Sequence, residues 1–379
     1  MPFYYYIALI VIIIVSLMIL FFNQRKKKKY DLTSSTYVDA LHLLLEGKRS
    51  KAIQKLKSTV KNNSDNIRAY ITLGNLLREQ GYADRAAKIH KSLVIREDVS
   101  KAMIDTINSY LIKDYIADGQ VDKAIYTANK MAKSAKKNIK IINTLLSLYE
   151  KKGDWENAFR YRQRMDKLEK KKNNHILALY KVQSGLDLIN KQQGHDARLA
   201  FREAIKIDNK CIPAYLYLGD SYLRSNRQND AIKSWKDLTE NIPEKAYFAF
   251  NRLKETLFEI GRYGEIEELY KQILKKNKNN IPTLIAQAEF YKKQGQDDKA
   301  IQICHQLLNK NPQNVKANFL LISLLQNQKD YQQAIKKALD YFKTEQKQIQ
   351  TYSCSECNYT SDTPLWLCPQ CHQWDTFIE

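Results

Sequence analysis

The sequence predicts an all-α fold, a superhelix of stacked helical hairpins with an apolar span before it and a small metal-binding ribbon after it. Three observations predict this: a small residue recurring about every 34 positions, one uninterrupted apolar run, and a terminal pair of C-x-x-C motifs. With only 11 Gly and 7 Pro in 379 residues, few tight turns are available to separate strands, which also favours helices.

Phe3 to Phe22 is an apolar run with Ser16 as its ordinary polar member. About twenty helical residues cover the roughly 30 Å of a bilayer's hydrocarbon. No Lys or Arg precedes the run and Arg25, Lys26, Lys27, Lys28 and Lys29 follow it, the reverse of a cleaved signal peptide. The expectation is an uncleaved anchor over residues 1–24, a basic juxtamembrane segment over 25–32, and a cytoplasmic body, because cations stay on the cytoplasmic side.

The recurring positions are Ala52, Ala86, Ala124, Ala158, Ala197, Ala231, Ile266, Ala300 and Ala334, separated by 34, 38, 34, 39, 34, 35, 34 and 34 residues. A period of 34 is that of the tetratricopeptide repeat, and about nine repeats fit within residues 33–348. Each hairpin is too small to bury its apolar stripe alone, so neighbours stack and share a core. Gly47, Gly81, Gly119, Gly153, Gly261 and Gly295 each stand five residues before a marker, where the chain must reverse. Asn226 takes that place in the sixth repeat, while the fifth and ninth have no glycine there, Gly194 being displaced by two. The extra residues near 100 and 175 are expected in loops, and Cys211 and Cys304 in the core.

The last segment, 349–379, holds Cys354, Cys357, Cys368 and Cys371. Paired C-x-x-C turns bring four thiolates to one tetrahedral site suited to one zinc ion, or to iron as in a rubredoxin. In a reducing cytosol such pairs bind metal rather than form disulfides. Asn358 and His372, following each pair, are expected at positive φ, and Asn358 to Thr360 with Leu365 to Leu367 as two strands. With four cysteines completing the shell, His372 reads as a bystander. Trp366, Trp374, Tyr352, Tyr359 and Phe377 are too much aromatic surface for so small a unit, and several are expected against the last repeat helix.

The net charge of +21 is dispersed over mixed-charge helices, which argues against nucleic acid. The six histidines are scattered, and no phosphate loop or nucleophile elbow accompanies them, so no catalytic residue, small-molecule substrate or cofactor-binding residue is assigned. The leading reading is a non-enzymatic protein-binding scaffold. The alternatives are a zinc ribbon on a scaffold contacting nucleic acid, and an iron electron carrier.

The order of these features resembles the lipopolysaccharide assembly protein B family of Gram-negative bacteria. The stretches carrying the resemblance are Ala69-Tyr-Ile-Thr-Leu-Gly-Asn-Leu-Leu-Arg, Tyr352-Ser-Cys-Ser-Glu-Cys-Asn-Tyr and Leu365-Trp-Leu-Cys-Pro-Gln-Cys-His-Gln-Trp. The resemblance implies a single-pass protein of the bacterial inner membrane, with its C-terminal region cytoplasmic. It also implies that the protein helps a membrane AAA+ protease degrade the lipid A deacetylase and contacts other lipopolysaccharide assembly proteins. The four cysteines carry over as metal ligands.

Overall fold

Apolar residues at helical spacing, interrupted by short polar turns, produce eighteen α-helices in the computed structural model, which describes residue 18, residues 36–344 and residues 352–378. The expected membrane span lies, apart from Met18, outside the described residues. Among the described residues no helix is long and apolar enough to cross a membrane.

The described chain divides between Asp154 and Trp155 into two units. The first carries α1 (36–45), α2 (Arg49–Asn62), α3 (Ile67–Glu79), α4 (Ala83–Val94), α5 (Lys101–Ala117), α6 (Val121–Ser134) and α7 (Ile139–Lys152). The second carries α8 (Trp155–Glu169), α9 (Asn174–Asn190), α10 (Gly194–Ile207), α11 (Ile212–Leu223), α12 (Gln228–Asn241), α13 (Tyr247–Glu259), α14 (Gly264–Lys276), α15 (Ile281–Lys293), α16 (Asp297–Lys310), α17 (Val315–Asn327) and α18 (Tyr331–Thr344). The ribbon completes it with β1 (Tyr352–Cys354), β2 (Thr360–Ser361) and β3 (Phe377–Ile378).

All nine marker residues are buried, the least so at 3% exposure. They are small because a neighbouring helix crosses there, and Ile266 substitutes without leaving the core. In the second unit a single buried cluster runs from Ala178 to Ala334, as stacking of hairpins that share faces requires. Where a first helix presents glycine the opposite solution appears: the rings of His90, Phe201 and Trp235 lie directly against Gly74, Gly185 and Gly219. Each pair is sixteen residues apart, so a missing side chain on one helix is filled by a large one on its partner.

Six of the odd-numbered helices begin with a side-chain cap: Asn66, Ser100, Asn138, Asn173, Asn280 and Asn314 each accept a backbone N–H one turn into the helix. The six turn glycines have φ from 71° to 86°. The three turns lacking glycine use the same left-handed conformation, at Gln192, Asn226 and Lys329, each five residues before its marker. Gly194 instead opens α10.

Two expectations require correction. The extra residues near 100 and 175 do not simply extend loops. They lengthen α5 and α9 to 17 residues each, against 13 in α3, α13, α15 and α17. About four residues make one helical turn, so an insertion of that length keeps the buried face in register. The second concerns the aromatics of the cysteine segment: among the described residues Trp366 and Trp374 pack beside α8, α9 and α13, and not on the last repeat helix where several were expected.

Candidate metal centre

The ribbon is a three-stranded antiparallel sheet in the order β2-β1-β3. This differs from the two strands expected, because Asn358 stands at φ 58° and turns the chain back, leaving Thr360 as the first residue able to pair. Leu367 forms only an isolated bridge to Trp374.

The two cysteine turns share one hydrogen-bond plan. The Cys354 N–H donates to the Tyr359 carbonyl at 2.9 Å and Asn358 N–H to the Cys354 carbonyl at 2.9 Å; Cys368 and His372 N–H donate to Gln373 and Cys368 carbonyls, both at 3.0 Å. His372, at φ 56°, occupies the place of Asn358 in the second turn, as expected for both residues. These turns aim all four sulfurs inward, within 4.8 Å of one another.

The Cys354 and Cys371 sulfurs are 3.6 Å apart, as are those of Cys357 and Cys368. Both distances exceed the ~2.05 Å of a disulfide. Sulfurs placed tetrahedrally about 2.3 Å from one zinc ion would stand roughly 3.8 Å apart. The four thiols therefore fit one tetrahedral ion, and His372 is not among the converging groups. Burial opposes ionisation of Cys354, but the Thr376 hydroxyl at 3.1 Å and backbone N–H groups of Glu356 and Cys357 pull its thiol downward. By contrast, burial pushes Cys211 and Cys304 up to about 12, the behaviour of inert core thiols.

The ribbon is fastened to helices of the same unit by two kinds of contact. Trp374 meets Trp155 and Tyr180 edge-on, with ring centroids 6.0 and 5.4 Å apart, and Trp366 meets Phe248 at 6.0 Å. Beside Trp374, His175 of α9 is held between two carboxylates. Its Nδ1 is 2.6 Å from Asp208, while Nε2 faces Asp375 of the ribbon at 3.3 Å, an ion-pair distance without hydrogen-bond alignment. Asp375 first, and then Asp208, raise the imidazole to about 9 against the opposing effect of burial. The same ion pair holds Asp375 below the usual carboxylate value.

This clasp was not legible in the sequence, where His175 is one of six scattered histidines. A second buried network was equally silent: His90 and Asp114, both fully buried, meet at 2.5 Å, and Arg78 reaches the other carboxylate oxygen at 2.7 Å. It ties α3, α4 and α5 together in the first unit.

Comparison with known proteins returns the family that the sequence resembles. A family model described as a rubredoxin metal binding domain matches residues 352–379, and one for the tetratricopeptide repeat matches residues 257–314. Lipopolysaccharide assembly protein B of Escherichia coli K12 is 22% identical over 346 residues, covering 90% of this chain and 88% of that one. The protein of the same name from Haemophilus influenzae is 22% identical over 357 residues, covering 90% and 89%. Among solved structures, Naa15/Naa10 bound to HypK-THB aligns with 80% of this chain and 62% of that chain, at 13% identity and a TM-score of 0.43. The chain is a tetratricopeptide-like helical repeat protein ending in a metal-binding ribbon, similar over nine tenths of its length to lipopolysaccharide assembly protein B.

Proposed function

We propose that this protein is a non-enzymatic adaptor of lipopolysaccharide assembly. It is anchored in the bacterial inner membrane by residues 1–24, with its repeats and ribbon in the cytoplasm. Residues 33–348 form the repeat array and 349–379 the ribbon. The array holds the lipid A deacetylase for a membrane AAA+ protease and so limits the committing step of lipid A synthesis. One observation supports this reading most: the four-sulfur ribbon is joined to the repeats by Trp374 and His175, which makes it part of the surface a protein guest would meet.

Cys354, Cys357, Cys368 and Cys371 hold a single ion, zinc or iron, whose contribution is folding free energy for a segment too small to make its own core. Capture from membranes with the anchor intact tests the location and the partners together. The expected result is recovery of the protease and the deacetylase, with deacetylase accumulating when this protein is depleted. Unchanged deacetylase levels would sink the proposal.

A further inference from the structure

Tyr222, near the end of α11, is 5% exposed and has three guanidinium groups around its ring. The Cζ atoms of Arg198, Arg202 and Arg227 lie 5.3, 5.8 and 4.7 Å from its centroid. Arg198 and Arg202 are one turn apart on α10, and Arg227 immediately precedes α12, so two successive hairpins supply the cluster.

Among the described residues, two of the three charges have no counter-ion. Arg227 is neutralised by Asp230 at 2.7 Å. Among the described residues no carboxylate pairs with Arg198 or Arg202, since Glu203 is taken by Lys181 at 2.9 Å and Asp220 by Arg252 at 2.7 Å. Arg78 and Arg162, by contrast, each meet an aspartate. Both unpaired groups are nonetheless held in place. Arg198 Nη1 donates to the Ser221 and Ser225 hydroxyls at 3.3 and 3.2 Å, and Arg202 Nη2 donates to the Tyr222 hydroxyl. Like charges collected on one ring and fixed by neutral acceptors form a pre-organised anion receptor, and the planar arginine fork matches a carboxylate in two-point contact.

We infer that Arg198 and Arg202, braced on Tyr222, Ser221 and Ser225, bind the side-chain carboxylates of an acidic segment in a protein partner. The two unpaired cations stand one turn apart along a single helix face, a spacing that suits successive carboxylates of a chain, each taken by one arginine fork. This inference gives the scaffold reading above a partner chemistry, and it rests on that reading for the partner being a protein.

The test uses the full-length, metal-loaded chain in detergent, titrated calorimetrically with a twelve-residue Glu/Ser peptide and its Gln/Ser counterpart. Arg198→Gln/Arg202→Gln should weaken the Glu peptide at least tenfold with helical circular dichroism unchanged. Lys130→Gln/Lys133→Gln, which removes two exposed charges from α6, should leave its affinity within twofold. Equal losses in both double variants, no loss in the arginine variant, or no binding of the Glu peptide by the parent would overturn the inference. So would binding of inorganic phosphate or phosphatidylglycerol vesicles that depends on these arginines while peptide binding does not. None of these outcomes decides whether the deacetylase is captured from membranes, so the adaptor reading stands or falls separately.

Discussion

Close approach at glycine decides more here than helix propensity does. An Ala in place of Gly in a helix ordinarily gains about 1 kcal/mol. At Gly219, however, an added methyl would overlap the fully buried Trp235 indole, whose Nε1 donates to the Leu216 carbonyl at 3.2 Å and fixes the ring. Overpacking costs about 1–3 kcal/mol, so Gly219→Ala is expected to destabilise on balance and lower the urea midpoint. A raised midpoint would refute the close packing. His175 makes a different kind of demand. Its folded pKa of about 9 lies above the free value of about 6.5, so its contribution is complete below pH 6.5 and is lost as pH rises through about 9. Asp375, lowered by His175 and helped by Lys245, contributes fully above about pH 3.9 and loses that contribution as pH falls through its depressed value. Asp208, Asp375 and Lys245 are the charged groups that bear on this clasp. His175→Gln should cost about 1 kcal/mol of ribbon docking, the ion pair to Asp375 being discounted for the partial exposure of both side chains. Faster amide exchange in residues 352–378 at pH 7, with the difference from the parent shrinking above pH 9, is the measurement.

At the level of the hairpin, the side-chain caps and left-handed turns are the devices that stop one helix and start the next. Asn280 accepts from the Thr283 N–H and hydroxyl and donates to the Pro243 carbonyl at 2.9 Å, all while 5% exposed. Asn280→Ala loses the cap and leaves the Pro243 carbonyl without this donor, so a loss of about 2 kcal/mol is expected in thermal or urea unfolding. Gln192 stands at φ 61° where six other turns use glycine, and a side chain there is strained by about 1 kcal/mol. Gln192→Gly relieves this but adds freedom to the unfolded chain, so a small net stabilisation, about 0.5 kcal/mol, is expected. The hairpins were readable from the sequence because the marker alanines and the six turn glycines each answer a steric demand that few other residues meet. The fifth and ninth turns were not, since left-handed Gln192 and Lys329 carry no compositional mark. The lengths of α5 and α9 escaped for a related reason: a one-turn insertion leaves periodicity intact and so looks like a loop. In the ribbon, ligand spacing fixed the site, whereas strand pairing depended on where Asn358 turned the chain, and docking depended on a histidine 200 residues from its aspartate partner in Asp375.

For the molecule as a whole, the question is whether the ribbon supports the repeats or only rests on them. The buried core of the second unit runs from Ala178 to Ala334, and among the described residues the ribbon packs on it through the half-buried Trp366 and Trp374. Repeat arrays draw their stability from neighbouring hairpins, so removing a module from their flank removes little of it. Within the ribbon the balance is reversed. Three short strands have little to bury, and four thiols gathered within 4.8 Å stay together stably only around an ion. Cys357→Ser, or extraction of the ion with a strong chelator, should therefore abolish or weaken metal binding and accelerate exchange throughout residues 352–378. It should also shift tryptophan emission to the red as Trp374 leaves Trp155 and Tyr180, while far-ultraviolet circular dichroism remains helical. Loss of most helical signal in the same variant would mean that the ribbon holds the hairpins together, which the separation of the two cores argues against.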